Sequence, residues 1–258
     1  MKNILMFLLV LFSANVFGQE ELEEVKVKTT QKGLKKSLKG TANTTLVTSK
    51  ELLKAACCNL AESFETNPSI DVNFSDALTG TKQIKMLGLT SPYIMITEEN
   101  VPSVRGASQA FGLSFTPGTW VDNIQITKGA GSVVNGYESI SGQINTELLK
   151  PMNDIPFFLN AYGSTDSRFE LNTHFNKKIN DKWATSLFVH GNARVSKNDM
   201  NNDGFLDNPL GKQINVANRW QYTNSETGWV SFFNFRFMKD EKQTGELDFD
   251  KDKHKLTT

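Results

Sequence analysis

The stretch Val121–Pro151, VDNIQITKGAGSVVNGYESISGQINTELLKP, decides how this chain reads. Two short alternating runs flank a core containing Gly129, Gly131, Gly136 and Gly142, with Asn135, Tyr137 and Gln143 set among them. Glycines in this density supply positive-φ turns and let backbones pass closely. The segment therefore reads as two strands folded back through a tight, small-residue connection.

Outward from that stretch, the N-terminus MKNILMFLLVLFSANVFGQ has the form of a secretory signal. Lys2 is the positive end, Ile4–Phe12 the apolar run, and Val16-Phe17-Gly18 the small or modest residues before a cut at Gln19. The run is shorter than the ~20 apolar residues of a membrane-spanning helix. No Cys follows the cut, which argues against a lipid anchor. The formal net charge of +0 gives no broad basic field for nucleic acid. The 2 cysteines, Cys57 and Cys58, are adjacent and cannot staple distant parts of a fold.

Between the signal and Lys150, helical and strand patterns alternate. Val25 and Val27 stand in an extended, acidic-then-basic segment, EEVKVKTT. Thr48-Ser49-Lys50-Glu51 has the form of a capping box opening a helix to about Ala56. A second helical stretch, Leu60–Glu65, ends before Pro68. Strands are predicted at Thr41–Val47, Ile70–Phe74, Lys82–Leu87 and Tyr93–Thr97.

After Pro151 the pattern has a period of two. Phe169, Leu171, Thr173 and Phe175 oppose Arg168, Glu170, Asn172, His174 and Asn176. Trp183, Thr185, Leu187 and Val189 oppose Ser186, His190, Asn192 and Arg194, with Phe188 an exception on the polar side. Ile214, Val216, Trp220 and Tyr222 oppose Asn215, Arg219 and Gln221, and Trp229, Phe233, Phe235 and Phe237 oppose Asn234 and Arg236. With Phe157–Gly163 this makes about five strands, some near the ~9–11 residues that cross a membrane in a barrel. A soluble β-sandwich or meander with one wet face has the same alternation.

These features in order resemble the TonB-dependent outer-membrane receptors. Val121–Pro151 is similar to the end of their plug domain, where an IERIEVxKG-type strand leads through a YG-type pair into a G-x-I-N-type strand. IKMLGLTSPYIMITEENVPS is similar to the RGx…VLxDGxP region, with Leu87-Gly88 in place of Arg-Gly and Glu99-Asn100 in place of Asp-Gly. The resemblance implies a signal at 1–18, a TonB-box-like segment and linker at 19–40, and a plug domain at 41–150. An α+β plug would then be followed, at 151–258, by the first antiparallel strands of a transmembrane β-barrel, so that the chain is an N-terminal fragment.

It further implies a non-enzymatic receptor in the Gram-negative outer membrane. Such a receptor imports a small extracellular ligand, with siderophores and metal complexes leading and glycans an alternative. Its partners would be outer-membrane lipid and TonB with its inner-membrane energising complex. Glu23, Glu24, Val25, Lys26, Val27, Lys28 and Thr29 would pair with TonB as an added strand. A secreted soluble β-rich binding protein is the competing class.

Candidate ligand contacts in the Gly- and aromatic-rich loop RGASQAFGLSFTPGTW are Arg105, Gln109, Phe111 and Phe115. Cys57 and Cys58 could hold a soft metal such as Cu(I) or close into a vicinal disulfide. Asp199, Asn201, Asp203 and Asp207, with Gly204 at the sixth position, resemble the front half of a Ca²⁺ loop, but Leu210 stands where a bidentate Glu is needed. No catalytic motif is present: His174, His190 and His254 are scattered, and there is no G-x-S-x-G, P-loop or HExxH.

Overall fold

Fourteen strands and two short α-helices order a computed structural model that describes residues 34–36, 43–54, 59–65, 67–76, 81–109, 111–131, 134 and 136–250. The signal-like segment, Glu23–Thr29 and Cys57-Cys58 lie outside those residues. In chain order the first elements are β1 (Leu34–Lys36), β2 (Asn43–Thr48), α1 (Ser49–Lys54), α2 (Leu60–Ser63), β3 (Asp71–Asp76), β4 (Thr81–Met86) and β5 (Leu89–Thr90). β6 (Ile94–Glu98), β7 (Val101–Pro102), β8 (Val121–Lys128) and β9 (Gly142–Leu148) complete the first domain. β10 (Phe157–Gly163), β11 (Arg168–Lys178), β12 (Trp183–Arg194), β13 (Leu210–Asn224) and β14 (Trp229–Gln243) follow.

The first domain is built on a mixed sheet of order β1-β2-β8-β9-β6-β7, in which β6 and β9 run parallel and the other pairs antiparallel. A smaller sheet, β3-β4-β5, lies beside it in sequence and shares its core. Val47, Leu52, Leu60, Phe64, Ile84, Ile94, Ile96, Ile124, Ile126 and Ile144 form that core, each removed from water. α2 is capped by Asn59, whose side chain accepts from the Glu62 amide at 3.1 Å and donates to the Glu62 carboxylate at 3.2 Å. That reciprocal Asn-x-x-Glu cap starts the helix one residue after Asn59.

The glycine-rich connection between β8 and β9 uses its glycines in two ways. Gly129 has φ +84 and closes the hairpin by donating to the Ser141 carbonyl at 2.9 Å. Gly142 is there for space: a Cβ would stand 2.5 Å from Met86 Cε and 2.9 Å from the Thr127 carbonyl.

β10–β14 form a second, purely antiparallel meander in chain order, and its faces are inverted relative to a soluble sheet. Asn172, His174, Ser186, His190, Asn215 and Arg219 are at most 2% exposed, whereas Phe169, Leu171, Phe175, Leu187 and Ile214 are 41–57% exposed. The polar face lies against the first domain and the apolar face looks outward. A sheet in water would be destabilised by this arrangement, because burying polar groups while exposing Phe and Leu loses the hydrophobic driving force. A sheet backed by lipid requires this one. Trp183, Trp220 and Tyr222 gather at one rim, the Trp183 ring centre 4.9 Å from that of Tyr222 and 6.4 Å from that of Trp220, where amphipathic rings suit a membrane–water boundary. No described helix is long and apolar enough to cross a membrane.

The joint between the domains is pinned. The Leu149 amide donates to Trp120 O at 2.9 Å, and Met152 N to Gln221 Oε1 at 3.2 Å. His174 Nε2 meets Asp154 Oδ2 at 2.8 Å, and Asn176 Nδ2 donates to the same carboxylate at 2.8 Å. Burial pushes the Asp154 carboxyl up, but its bonds to His174, the Ile155 amide and Asn176 outweigh this and hold it below its ordinary value. Glu147 behaves likewise. Burial raises it, and its 2.9 Å bond to Lys150 together with the amides of Asn123 and Gln125 brings it below the usual carboxylate range. Lys150 is raised in turn, chiefly by that bond to Glu147.

Candidate functional site

The register of the meander assembles a site that no single strand contains. Arg168 pairs across to Arg194, Arg194 to Gly211, and Gly211 to Lys242, so one level of the inward face carries three cations on four strands. Like charges placed directly opposite repel, and carboxylates hold them. Arg168 meets Glu170 at 2.6 Å and Glu62 of α2 at 2.8 Å, Arg194 meets Asp166 at 2.7 Å, and Lys242 meets Asp240 at 3.5 Å. Gly211 contributes no side chain, which leaves the sheet open between Arg194 and Lys242. Arg168, Arg194, Gly211 and Lys242, with Phe74, Lys82 and Phe111 of the first domain, line a cleft of about 480 Å³. Phe111 lies under Lys242, whose Nζ stands 5.2 Å from the ring centre.

Farther along the inward face the two domains are sewn together. Ser114 O accepts from Gln213 Nε2 at 3.5 Å, and Phe115 O from Asn215 Nδ2 at 2.7 Å and from Arg236. Arg219 Nη2 donates to Glu99 Oε1 at 2.9 Å, and Arg236 Nη1 lies 3.7 Å from Glu98 Oε2. Between these polar stitches Trp120, Leu148, Phe188 and Ala217 form a small apolar cluster, with the Trp120 and Phe188 rings 5.4 Å apart. Phe188, out of place on a polar face in the sequence pattern, is thus the apolar contact that the meander β10–β14, the wall against which the first domain packs, offers to that domain.

The four loop residues predicted to contact ligand are not brought together. Of them, Phe111 alone lines the cleft. Arg105 is exposed and bonds Glu138 beside Tyr137, Gln109 ends a 3₁₀ turn, and Phe115 serves through its carbonyl. The acidic turn spends its oxygens on its own backbone. Asp199 accepts from the amides of Asp203 and Gly204 at 3.2 and 3.0 Å, Asn201 from Asp203 at 3.2 Å, Asp203 from Phe205 at 2.8 Å, and Asp207 from Met200 at 2.8 Å. Among the described residues no three His, Cys, Asp or Glu side chains are grouped to hold a metal ion. The cationic level was missed because parity gives each residue's face but not its height against the next strand.

Residues 36–143 match the family model of the TonB-dependent receptor plug domain. The chain carries a TonB-dependent receptor plug domain. No curated protein matches the chain by sequence, but solved receptor structures do. The ferric-catecholate import receptor Fiu from E. coli K12 is 16% identical with TM-score 0.59, over 78% of this chain and 27% of that one. The pyoverdine outer membrane receptor FpvA from Pseudomonas aeruginosa PAO1 is 13% identical with TM-score 0.64, over 79% and 28%. The ferric yersiniabactin uptake receptor FyuA from Yersinia pestis is 16% identical with TM-score 0.62, over 77% and 32%. At these identities the likeness is one of fold, and the chain spans about a third or less of each receptor. The α+β plug domain followed by an open antiparallel sheet is the architecture the sequence led us to expect.

Proposed function

We propose that this chain is part of an outer-membrane receptor that imports an anionic metal chelate, of the siderophore type, by energy coupling through TonB. The observation that carries the ligand class is the level Arg168–Arg194–Gly211–Lys242. Three cations, whose carboxylate partners Glu62, Glu170, Asp166 and Asp240 a ligand's oxygens would displace or share, and an open glycine above a cleft bordered by Phe74 and Phe111 suit a ligand with negative oxygens and a flat apolar face. Fiu, FpvA and FyuA are named for ferric-catecholate import, pyoverdine and ferric yersiniabactin uptake, which supports the same class. In this reading residues 1–18 direct export, Glu23–Thr29 offer the extended edge that TonB and its inner-membrane complex engage, and β10–β14 face lipid. The receptor binds and moves its ligand and hydrolyses nothing.

The test is uptake of a panel of ⁵⁵Fe-chelates in a strain lacking the complete gene, complemented with wild type or with Arg194→Gln/Lys242→Gln, each with and without TonB. Expected are uptake that needs both the gene and TonB, and weaker chelate binding in the double variant. Uptake indifferent to TonB would sink the proposal.

A further inference from the structure

The turn between β6 and β7 is chemically odd. Glu99 and Asn100 both hold positive φ, 54 and 64, a region that non-glycine residues seldom occupy and that Gly would satisfy without strain. The backbone is kept there by Glu99 N bonding Thr146 O at 2.9 Å and Asn100 N bonding Asn145 Oδ1 at 2.8 Å. What Glu99 adds is its carboxylate. Oε1 accepts from Leu148 N at 2.8 Å inside the plug and from Arg219 Nη2 at 2.9 Å across the seam.

Arg219 stands on the wall, 1% exposed, its guanidinium over the Phe232 ring at 4.4 Å. Among the described residues its Nε and Nη1 have no hydrogen-bond partner. Glu99 is the carboxylate paired with it. The neighbouring pair repeats the arrangement more loosely: Glu98 with Arg236, bridged by Thr116, whose hydroxyl donates to Glu98 at 2.9 Å.

We propose that Glu99–Arg219 is the latch that seats the plug domain against the wall. A buried guanidinium cannot be left bare, because breaking such a pair strands a charge away from water. The β6–β7 turn therefore cannot lift off the wall gradually. It leaves only as water reaches Arg219, so that release of the plug and wetting of the seam become one event. Arg236, less buried and met by the Phe115 carbonyl as well, keeps a partner when Glu98 moves and is the weaker stitch. This rests on the proposed function, in which the plug domain would fill the lumen of the barrel that β10–β14 begin.

The experiment uses the protein from its complete gene in its own outer membrane. It reads vancomycin susceptibility, with folded protein measured by heat-modifiable gel mobility. Glu99→Gln keeps the acceptor for Leu148 N and removes the charge, and should raise the undocked fraction roughly 100-fold, seen as increased susceptibility. Arg219→Met in the same chain removes the stranded cation, so the double variant should return toward wild type, a non-additivity that a role confined to the plug would not produce. If Glu99→Gln lowers folded protein, recovery in the double variant supports the latch and failure to recover overturns it. A Glu99→Gln strain as tight as wild type, or a double variant as leaky as the single, also overturns it. Deleting residues 36–143 separates the two ideas: a deletion strain that stays tight refutes occlusion itself, whereas a leaky deletion beside a tight Glu99→Gln refutes the latch alone.

Discussion

Replacing Leu187 by Lys tests the inverted faces of β10–β14 directly, because water and lipid demand opposite outcomes. Leu187 is near the middle of β12, on the apolar face, 41% exposed, and opposite Phe175 and Asn218 in register. In a water-facing sheet such a surface substitution changes stability by no more than ~0.5 kcal/mol. In a barrel wall near mid-bilayer a Lys costs ~2–4 kcal/mol, a factor of roughly 30 to 900 in the folding equilibrium. The assay is urea unfolding of the protein from its complete gene in lipid vesicles, followed by tryptophan fluorescence. Met200→Lys, on an 88% exposed turn residue, serves as the control that neither environment should penalise. A Leu187→Lys protein as stable as the control would refute the lipid-facing assignment and return the sheet to water.

Three further outcomes follow from the packing. Phe188→Ala removes the wall's half of the contact with Trp120 and should cost ~3–5 kcal/mol, exposing the plug domain to protease while the meander stays folded; unchanged protection would count against the docking. Gly142→Ala drives a methyl into Met86 and the Thr127 carbonyl, with an expected loss of ~1–3 kcal/mol, checked by the yield of protease-resistant plug. Glu147, whose folded carboxyl sits below its ordinary value of 4.5, contributes stability that is present above that pH and lost as pH falls through the lower folded value. Glu147→Gln should therefore be less stable at neutral pH and show a flatter acid limb than wild type in a pH-dependent melting series.

The parts of the fold legible in the chain were those that repeat locally. Face assignments along β11–β14 follow from parity, so the split between Phe169, Leu171, Phe175 and Arg168, Glu170, Asn172 stands in the structure as the pattern predicted. Phe188 broke the pattern for a tertiary reason: its partner, Trp120, is 68 positions earlier and belongs to the other domain. The glycines of Val121–Pro151 announced a tight connection, but which of them serves φ and which serves space depends on Met86, brought in by β4. Arg194 and Lys242 were each visible as charges. Their common level with Arg168 depends on three strand registers, and register is set by turns and face burial together rather than by any one strand. The Glu99-Asn100 pair, a departure from the Asp-Gly pattern it resembles, hid its use for the same reason: the reading partner, Arg219, is 120 residues away.

The strand pairing also carries a kinetic consequence. In the meander, Gly163 pairs with Phe169, closing a loop of a few residues, and each later strand finds its partner in the one just made. In the plug domain, Asn43 must wait for Lys128, and the parallel partner of Ile94 is Gly142. Closing an interval of some 85 residues rather than six costs ~2 kcal/mol more in chain entropy, and non-local pairing slows folding well beyond that. The portion of the chain synthesised first is therefore the last to acquire its sheet. Any export or assembly machinery that handles this protein meets the first domain with its local pairs, β1–β2, β3–β4–β5 and β6–β7, free to form, but with β2 and β6 waiting for β8 and β9 before the mixed sheet can close.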